Sequence, residues 1–229
     1  MLKLIRGLHE FRTQIHSQNE EFFNQLAKAQ SPHALFICCS DSRVDPNLIT
    51  QTDPGELFTL RNAGNIVPPY DGAVHGEEAT IEYAVIALGI KDIVVCGHSN
   101  CGAMNGLIHK EQLVAMPTVE KWLRHSNDTL DVIARNYVGL DDQSLLNIAV
   151  QENVLVQLEH LRTLPAVTRA LLKRELELHG WVYEIETGEV YVYDPIHEQF
   201  LPIHYVHGEW HLEPFEEKSD EPSECEAAT

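Results

Sequence analysis

The spacing of apolar and polar positions divides the chain into elements. From Met1 to about Ala29, Leu4, Ile5, Leu8, Phe11, Ile15, Phe22, Phe23 and Leu26 recur at helical spacing among polar neighbours, which predicts one or two amphipathic helices. Ser31-Pro32 closes that arm, and ALFICC (34–39) follows as a continuous apolar run, the pattern of a parallel strand buried on both faces. LFTL (57–60) and DIVVCG (92–97) repeat it, and EEATIEYAVIALG (77–89) between them predicts a helix that stops at Gly89. Strand, helix and strand in that order make a right-handed crossover unit. A helix is expected over 117–135 from Pro117, an amphipathic one from Ser144 to Leu161, and a short one from Pro165. GWVYEI (180–185) and EVYVYD (189–194), joined at Thr187-Gly188, read as a hairpin. The expected fold class is α/β: a central, mostly parallel β-sheet with an antiparallel edge, flanked by helices and preceded by an N-terminal helical arm.

The same pattern sets the expected domains: the arm over 1–29, one α/β domain over 30–207 and a C-terminal tail over 208–229. Residues 213–226 hold seven acids, one lysine and two prolines, so the tail is expected to be disordered. No internal repeat is visible, and no linker interrupts residues 30–205.

Composition narrows the function classes. Of 229 residues 44% are hydrophobic and 22% charged, and no apolar run approaches the ~18 residues of a membrane span. The N-terminus lacks the apolar stretch and small-residue cleavage site of a secretory signal, so the expected location is the cytoplasm. Sixteen Lys+Arg against 35 Asp+Glu give a formal charge of −19, which repels phosphate backbones and anionic lipid; neither nucleic acid nor membrane is an expected partner. Five cysteines (Cys38, Cys39, Cys96, Cys101 and Cys225) in a chain of this kind argue for metal or redox chemistry rather than a disulfide scaffold.

Two segments follow apolar strands directly: Cys39-Ser40-Asp41-Ser42-Arg43 and His98-Ser99-Asn100-Cys101. In a parallel sheet, the crevice beyond the carboxyl ends of the strands is where ligands sit, so Cys39 and His98 can converge there. Two thiolates and one imidazole suit zinc, and a Cys2His set leaves the fourth tetrahedral position for water or substrate, as in catalytic sites. Asp41 alternates with Cys39 and could fill that position as a fourth ligand. Arg43 shares the alternation, and an ion pair with it would hold the carboxylate off the metal, leaving Asp41 to accept the proton of zinc-bound water and orient the resulting hydroxide. A switch between these two states of Asp41 is a further expectation.

CSDSR, RNAGNIVPPY (61–70), EEATIEYAV (77–85), GHSNCGAM (97–104) and GWVY (180–183) strongly resemble the β-class carbonic anhydrases over about residues 1–205. The resemblance implies reversible hydration of CO2 to bicarbonate and a proton by a zinc lyase with one zinc per chain. It also implies a dimer-based oligomer whose protomers complete each other's active-site clefts. It assigns the metal ligands to Cys39, His98 and Cys101, and the carboxylate and arginine dyad to Asp41 and Arg43. Gln30 would donate to a substrate oxygen, and Phe58, Ala63 and Tyr83 would line the CO2 pocket; an apolar wall suits an uncharged substrate. FICCSDSRVDPNLITQ looks most like the cyanobacterial, carboxysome-associated branch, which implies carboxysome proteins as partners. Some members use a second bicarbonate site of Trp, Arg and Tyr; Arg61 and Tyr183 match but Phe36 stands at the Trp position, so weak or absent inhibition of that kind is expected. Two other readings keep the fold: a carbon disulfide or carbonyl sulfide hydrolase, and a non-catalytic carboxysome scaffold with a structural zinc.

The other cysteines have blander roles. Cys38 points opposite to Cys39 and reads as core packing, as does Cys96, while Cys225 sits in the acidic tail. His33, His75 and His109 are proton-shuttle candidates that spacing does not rank.

Overall fold

The computed structural model describes residues 1–206 and 209–212. Strand β1 (Ala34–Cys39) lies between β2 (Leu57–Asn62) and β3 (Asp92–His98), parallel to both, and β4 (Glu177–Tyr183) extends the parallel set. Antiparallel strands β5 (Val190–Asp194), β6 (Gln199–Val206) and β7 (Glu209–Leu212) complete the order β2-β1-β3-β4-β5-β6-β7. The expected α/β sheet with an antiparallel edge is present, and it carries two strands beyond the expected hairpin. The chain leaves β1 towards β2 on one side and leaves β3 towards β4 on the other, and this divergence opens a crevice at the carboxyl ends of β1 and β3. Cys39 and His98 are the last residues of those two strands, which lead towards the short helices α3 (Pro46–Thr50) and α5 (Gly102–Ile108).

The continuous apolar runs are explained by burial on both faces. Leu35 and Ile37 of β1 pack with Ile93 and Val95 of β3 in one cluster, while Phe36 and Cys38 pack with Val94 and Cys96 on the opposite face. The first face is covered by α4 (Gly76–Glu82), α8 (Asp142–Thr163) and α9 (Pro165–Leu172), which contribute Ile81, Val154 and Val167 to the same cluster. Helix α8 starts where Asp141 accepts a hydrogen bond from the Ser144 N–H at 2.9 Å, and α9 starts with Pro165 in its first turn. Close approach of α8 to β3 requires Gly97: a Cβ there would stand 2.9 Å from side-chain carbons of Val150 and Val154.

Three expected helices differ in detail. The element expected over 77–89 is α4 followed by a π-helical turn, Tyr83–Ala87, and Gly89 ends it at φ +65°. The element expected over 117–135 is two helices, α6 (Pro117–Leu123) and α7 (Asn127–Asn136), joined by a 3-10 turn. Ser126 breaks the helix at φ −109°, and its buried hydroxyl accepts from Gln157 Nε2 at 3.4 Å, so a tertiary contact overrides the periodicity. Helix α8 is not amphipathic as expected: it buries Leu146, Ala149, Val150 and Val154 and also the polar Asn153, Gln157 and His160.

The arm consists of α1 (Leu2–Glu10), a π-helical turn (Phe11–His16) and α2 (Glu20–Leu26), and none of these elements buries a residue. Its own aromatic rings hold it together: Phe11 meets Phe23 edge-on at 5.5 Å and His16 stacks on Phe23 at 4.7 Å. Within the span expected as a disordered tail, Glu209–Leu212 is strand β7; residue 208 and residues 213–229, including Cys225, lie outside the described residues. Among the described residues, no helix is long and apolar enough to cross a membrane.

Candidate metal centre

Cys39, His98 and Cys101 converge at the crevice, their ligating atoms within 4.8 Å of one another and all three residues buried. The sulfurs of Cys39 and Cys101 are 4.0 Å apart, close to the ~3.8 Å that two thiolates at about 2.3 Å from one tetrahedral zinc would span. His98 is fully buried and its Nδ1 stands 2.9 Å from the Ser99 carbonyl oxygen. A carbonyl only accepts, so Nδ1 carries the proton and Nε2 presents a lone pair. That Nε2 is buried without a hydrogen-bond partner, a costly state for a polar atom unless a Lewis acid takes it up. The donor set therefore fits a zinc ion.

Of the two thiols, Cys39 is held towards the thiolate: the Cys101 thiol donates to it, and the Gly64 N–H adds a bond at 3.4 Å. Cys101 is raised, first by that same donation and then by burial. Gly64 reaches the sulfur because it adopts φ +84°, a conformation that favours glycine.

Asp41 and Arg43 form a bidentate pair beside these three residues. Arg43 Nε donates to Asp41 Oδ1 at 2.9 Å, and its Nη2 donates to Oδ2 at 2.8 Å. The Arg43 backbone N–H also donates to Oδ1, at 3.0 Å. Arg43's side-chain hydrogen bonds hold the Asp41 carboxyl well below the usual carboxylate range. Oδ1 thus takes two donors while Oδ2 takes one and stands 3.9 Å from His98 Nε2.

Several positioning residues carry no local sequence signature. The loop after β2 is held by α8: Asn153 Nδ2 donates to the Gly64 carbonyl at 3.1 Å, and Gln157 Oε1 accepts from Val67 N–H at 2.9 Å. His160 Nδ1 lies 2.8 Å from the Val67 carbonyl, and Trp122 Nε1 donates to the Ala63 carbonyl at 2.8 Å. The spacing of Asn153, Gln157 and His160 at i, i+4 and i+7, which puts all three on one face of α8, was the available signal. Arg61, expected at an inhibitory bicarbonate site, donates to the Cys39 carbonyl at 3.1 Å and to the Asp41 carbonyl at 2.8 Å. Phe36 is buried edge-on against Trp181 at 5.8 Å, and Tyr183 packs on the same face.

The four expected substrate residues do not gather around one centre. Ala63 adjoins Gly64 at the metal site, but Phe58 pairs with Leu35 whereas Cys39 pairs with Asn62, four residues further along the strands. At about 3.3 Å per residue that is ~13 Å. Tyr83 goes with Phe58, their ring centroids 6.0 Å apart, and Gln30 lies exposed ahead of β1.

Cys38 and Cys96 face the other side of the sheet as paired neighbours; burial pushes Cys38 up to about 12 and raises Cys96 as well, so both stay thiols. His33, His75 and His109 stand beside Glu56, Asp71 and Glu111. A second group, Asp92, Glu177 and His179, lies at the amino ends of β3 and β4, where His179 Nε2 and Asp92 Oδ1 satisfy each other at 2.9 Å.

Comparison with known proteins agrees with the geometry. Residues 34–190 match a family model described as carbonic anhydrase. A carbonic anhydrase of Synechocystis sp. is 48% identical over 225 residues, covering 97% of this chain and 81% of the relative. One from Synechococcus elongatus is 52% identical over 191 residues, covering 83% and 70%. Among solved structures, the β-carbonic anhydrase CcaA shares 50% identity and a TM-score of 0.86, covering 88% of this chain and 98% of its own. A tetrameric β-carbonic anhydrase of Sordaria macrospora shares 31% and 0.75, covering 83% and 94%.

Proposed function

Because the chain belongs to the carbonic anhydrase family, in its β class, it is an enzyme of reversible CO2 hydration, and we propose that Cys39, His98 and Cys101 hold its zinc while Asp41 and Arg43 handle the proton. The observation that carries this assignment is the buried, unpartnered His98 Nε2 among the sulfurs of Cys39 and Cys101. Zinc held by two thiolates and an imidazole lowers the pKa of a bound water to about 7 and supplies Lewis acidity. Asp41 Oδ2, with a lone pair to spare and only 3.9 Å from His98 Nε2, accepts a proton from the attacking water and fixes its direction. Arg43 keeps that carboxylate ionised and pulls it away from a ligating role. Arg61 holds the backbone that bears Cys39 and Asp41, so acceptor and ligand move together.

Ala63 supplies apolar wall to its own centre, and Phe58, too far along the sheet for that centre, serves the centre of a second copy together with Tyr83 beside it and Gln30 ahead of β1. The exposed apolar residues of the arm support such pairing: Leu4, Ile5, Leu8 and Ile15 are each more than half exposed. The likeness to cyanobacterial relatives supports a place in the cytoplasm, within the carboxysome. Zinc analysis beside stopped-flow CO2 hydration tests the roles. His98→Ala should lose metal and activity together. Asp41→Asn should keep about one zinc per chain while the rate falls ~10²-fold or more. Full activity in Asp41→Asn would remove the proton role.

A further inference from the structure

We propose that Glu186, in the turn between β4 and β5, is a positioning residue that clamps the two-residue link between the ligands His98 and Cys101 and, through it, Arg43; this rests on those ligands holding zinc. Ser99 and Asn100 are the whole of that link, and both side chains end on one carboxylate. Ser99 Oγ donates to Glu186 Oε2 at 2.7 Å, and Asn100 Nδ2 donates to Oε1. Ser99 Oγ in turn accepts from the Ile185 N–H at 3.0 Å, and the Ser99 N–H donates to the Tyr183 carbonyl at 2.9 Å, so the link is pinned to the edge of β4 and to the turn beyond it.

The two peptides so held face inward and do separate jobs. The Ser99 carbonyl accepts from His98 Nδ1 at 2.9 Å and sets the ring orientation that aims Nε2 at the sulfurs. The Asn100 carbonyl accepts from Arg43 Nη2 at 3.0 Å, and that same nitrogen donates to Asp41 Oδ2 at 2.8 Å. Asn100 sits at φ +54°, in the left-handed region, where its side-chain bonds offset the backbone cost. One exposed carboxylate thereby fixes a metal ligand's ring and the second anchor of the arginine. Its hydrogen bonds, that from Ser99 first, keep it ionised below the usual glutamate range. Glu186 acts through the link and has no contact with the ligand sulfurs or His98 Nε2 among its hydrogen bonds.

Glu186→Ala and Glu186→Gln in the full-length, zinc-loaded protein test this by transfer of zinc to a chromophoric chelator, alongside stopped-flow kinetics. Glu186→Ala should release zinc about 10-fold faster or more, within the 10- to 100-fold range typical of groups that orient metal ligands, with kcat lowered and KM little changed. Glu186→Gln, which keeps an acceptor for one of the two donors, should fall between. Thr187→Val breaks the turn's own bond from Thr187 Oγ1 to Glu184 at 2.9 Å and should release zinc at the wild-type rate. Wild-type release from Glu186→Ala, or equal acceleration by Thr187→Val, would overturn the proposal. If Glu186→Ala does not fold, Glu186→Gln against Thr187→Val decides in the same way. Wild-type protein that binds no zinc would defeat the underlying assignment instead, a distinct result.

Discussion

The metal rim and the N-terminal arm are opposites. At the rim, Cys39, His98 and Cys101 are buried, and the surrounding carbonyls and N–H groups are held by Arg61, Asn153, Gln157 and Arg43. In the arm, no helical residue is buried, and Leu2, at 84% exposed, is among several apolar side chains open to solvent. The rim is fixed by contacts within one chain, whereas Leu2, Leu4, Ile5 and Leu8 of α1 are left exposed by the described residues. Geometry at the candidate metal centre is thus an intramolecular property, whereas on the pairing proposed above closure of the substrate cleft is an intermolecular one.

The largest effect should come from separating these two regions. A chain lacking residues 1–29 should keep its zinc, fall to a smaller assembly in sedimentation, and lose activity by about a hundredfold as the cleft loses its alignment. Retained activity in a monomer would break the contrast. A medium effect is expected inside the rim's support. Gln157→Leu leaves the buried Val67 N–H without its acceptor, a loss of about 1–3 kcal/mol, and should lower the melting temperature by several degrees at any protein concentration. Leu8→Ser in the arm should lower it only where dilution dissociates the assembly. The smallest effect lies at the start of α8. Asp141 is lowered by the Ser144 N–H, so its stabilisation is full above the ordinary carboxylate range and is lost as pH falls through the depressed value. Asp141→Ala should therefore melt slightly lower at neutral pH, and the difference should vanish in acid.

The parts legible in sequence are those written in consecutive residues. β1 and β3 read as strands because burial on both faces demands unbroken apolar runs, and the candidate ligands Cys39 and His98 stand at the ends of those runs. The break at Ser126 was not legible, because the partner of its hydroxyl is Gln157, on another helix. Nor was the role of Arg61, set by carbonyls on a neighbouring strand and the loop beyond it, nor that of Glu186, whose partners lie 86 and 87 positions away. The separation of Phe58 from Cys39 also needed the strand register, since a family motif names residues without saying which copy they serve.

Whether Cys39, His98 and Cys101 hold the metal can be read from X-ray absorption at the zinc edge of the purified, active protein. The spectrum should show about one zinc per chain with two sulfur neighbours, one imidazole nitrogen and one further light atom, and a sulfur count reduced to one in any metal retained by Cys101→Ser. A metal with no sulfur neighbours, or active protein free of metal, would contradict it.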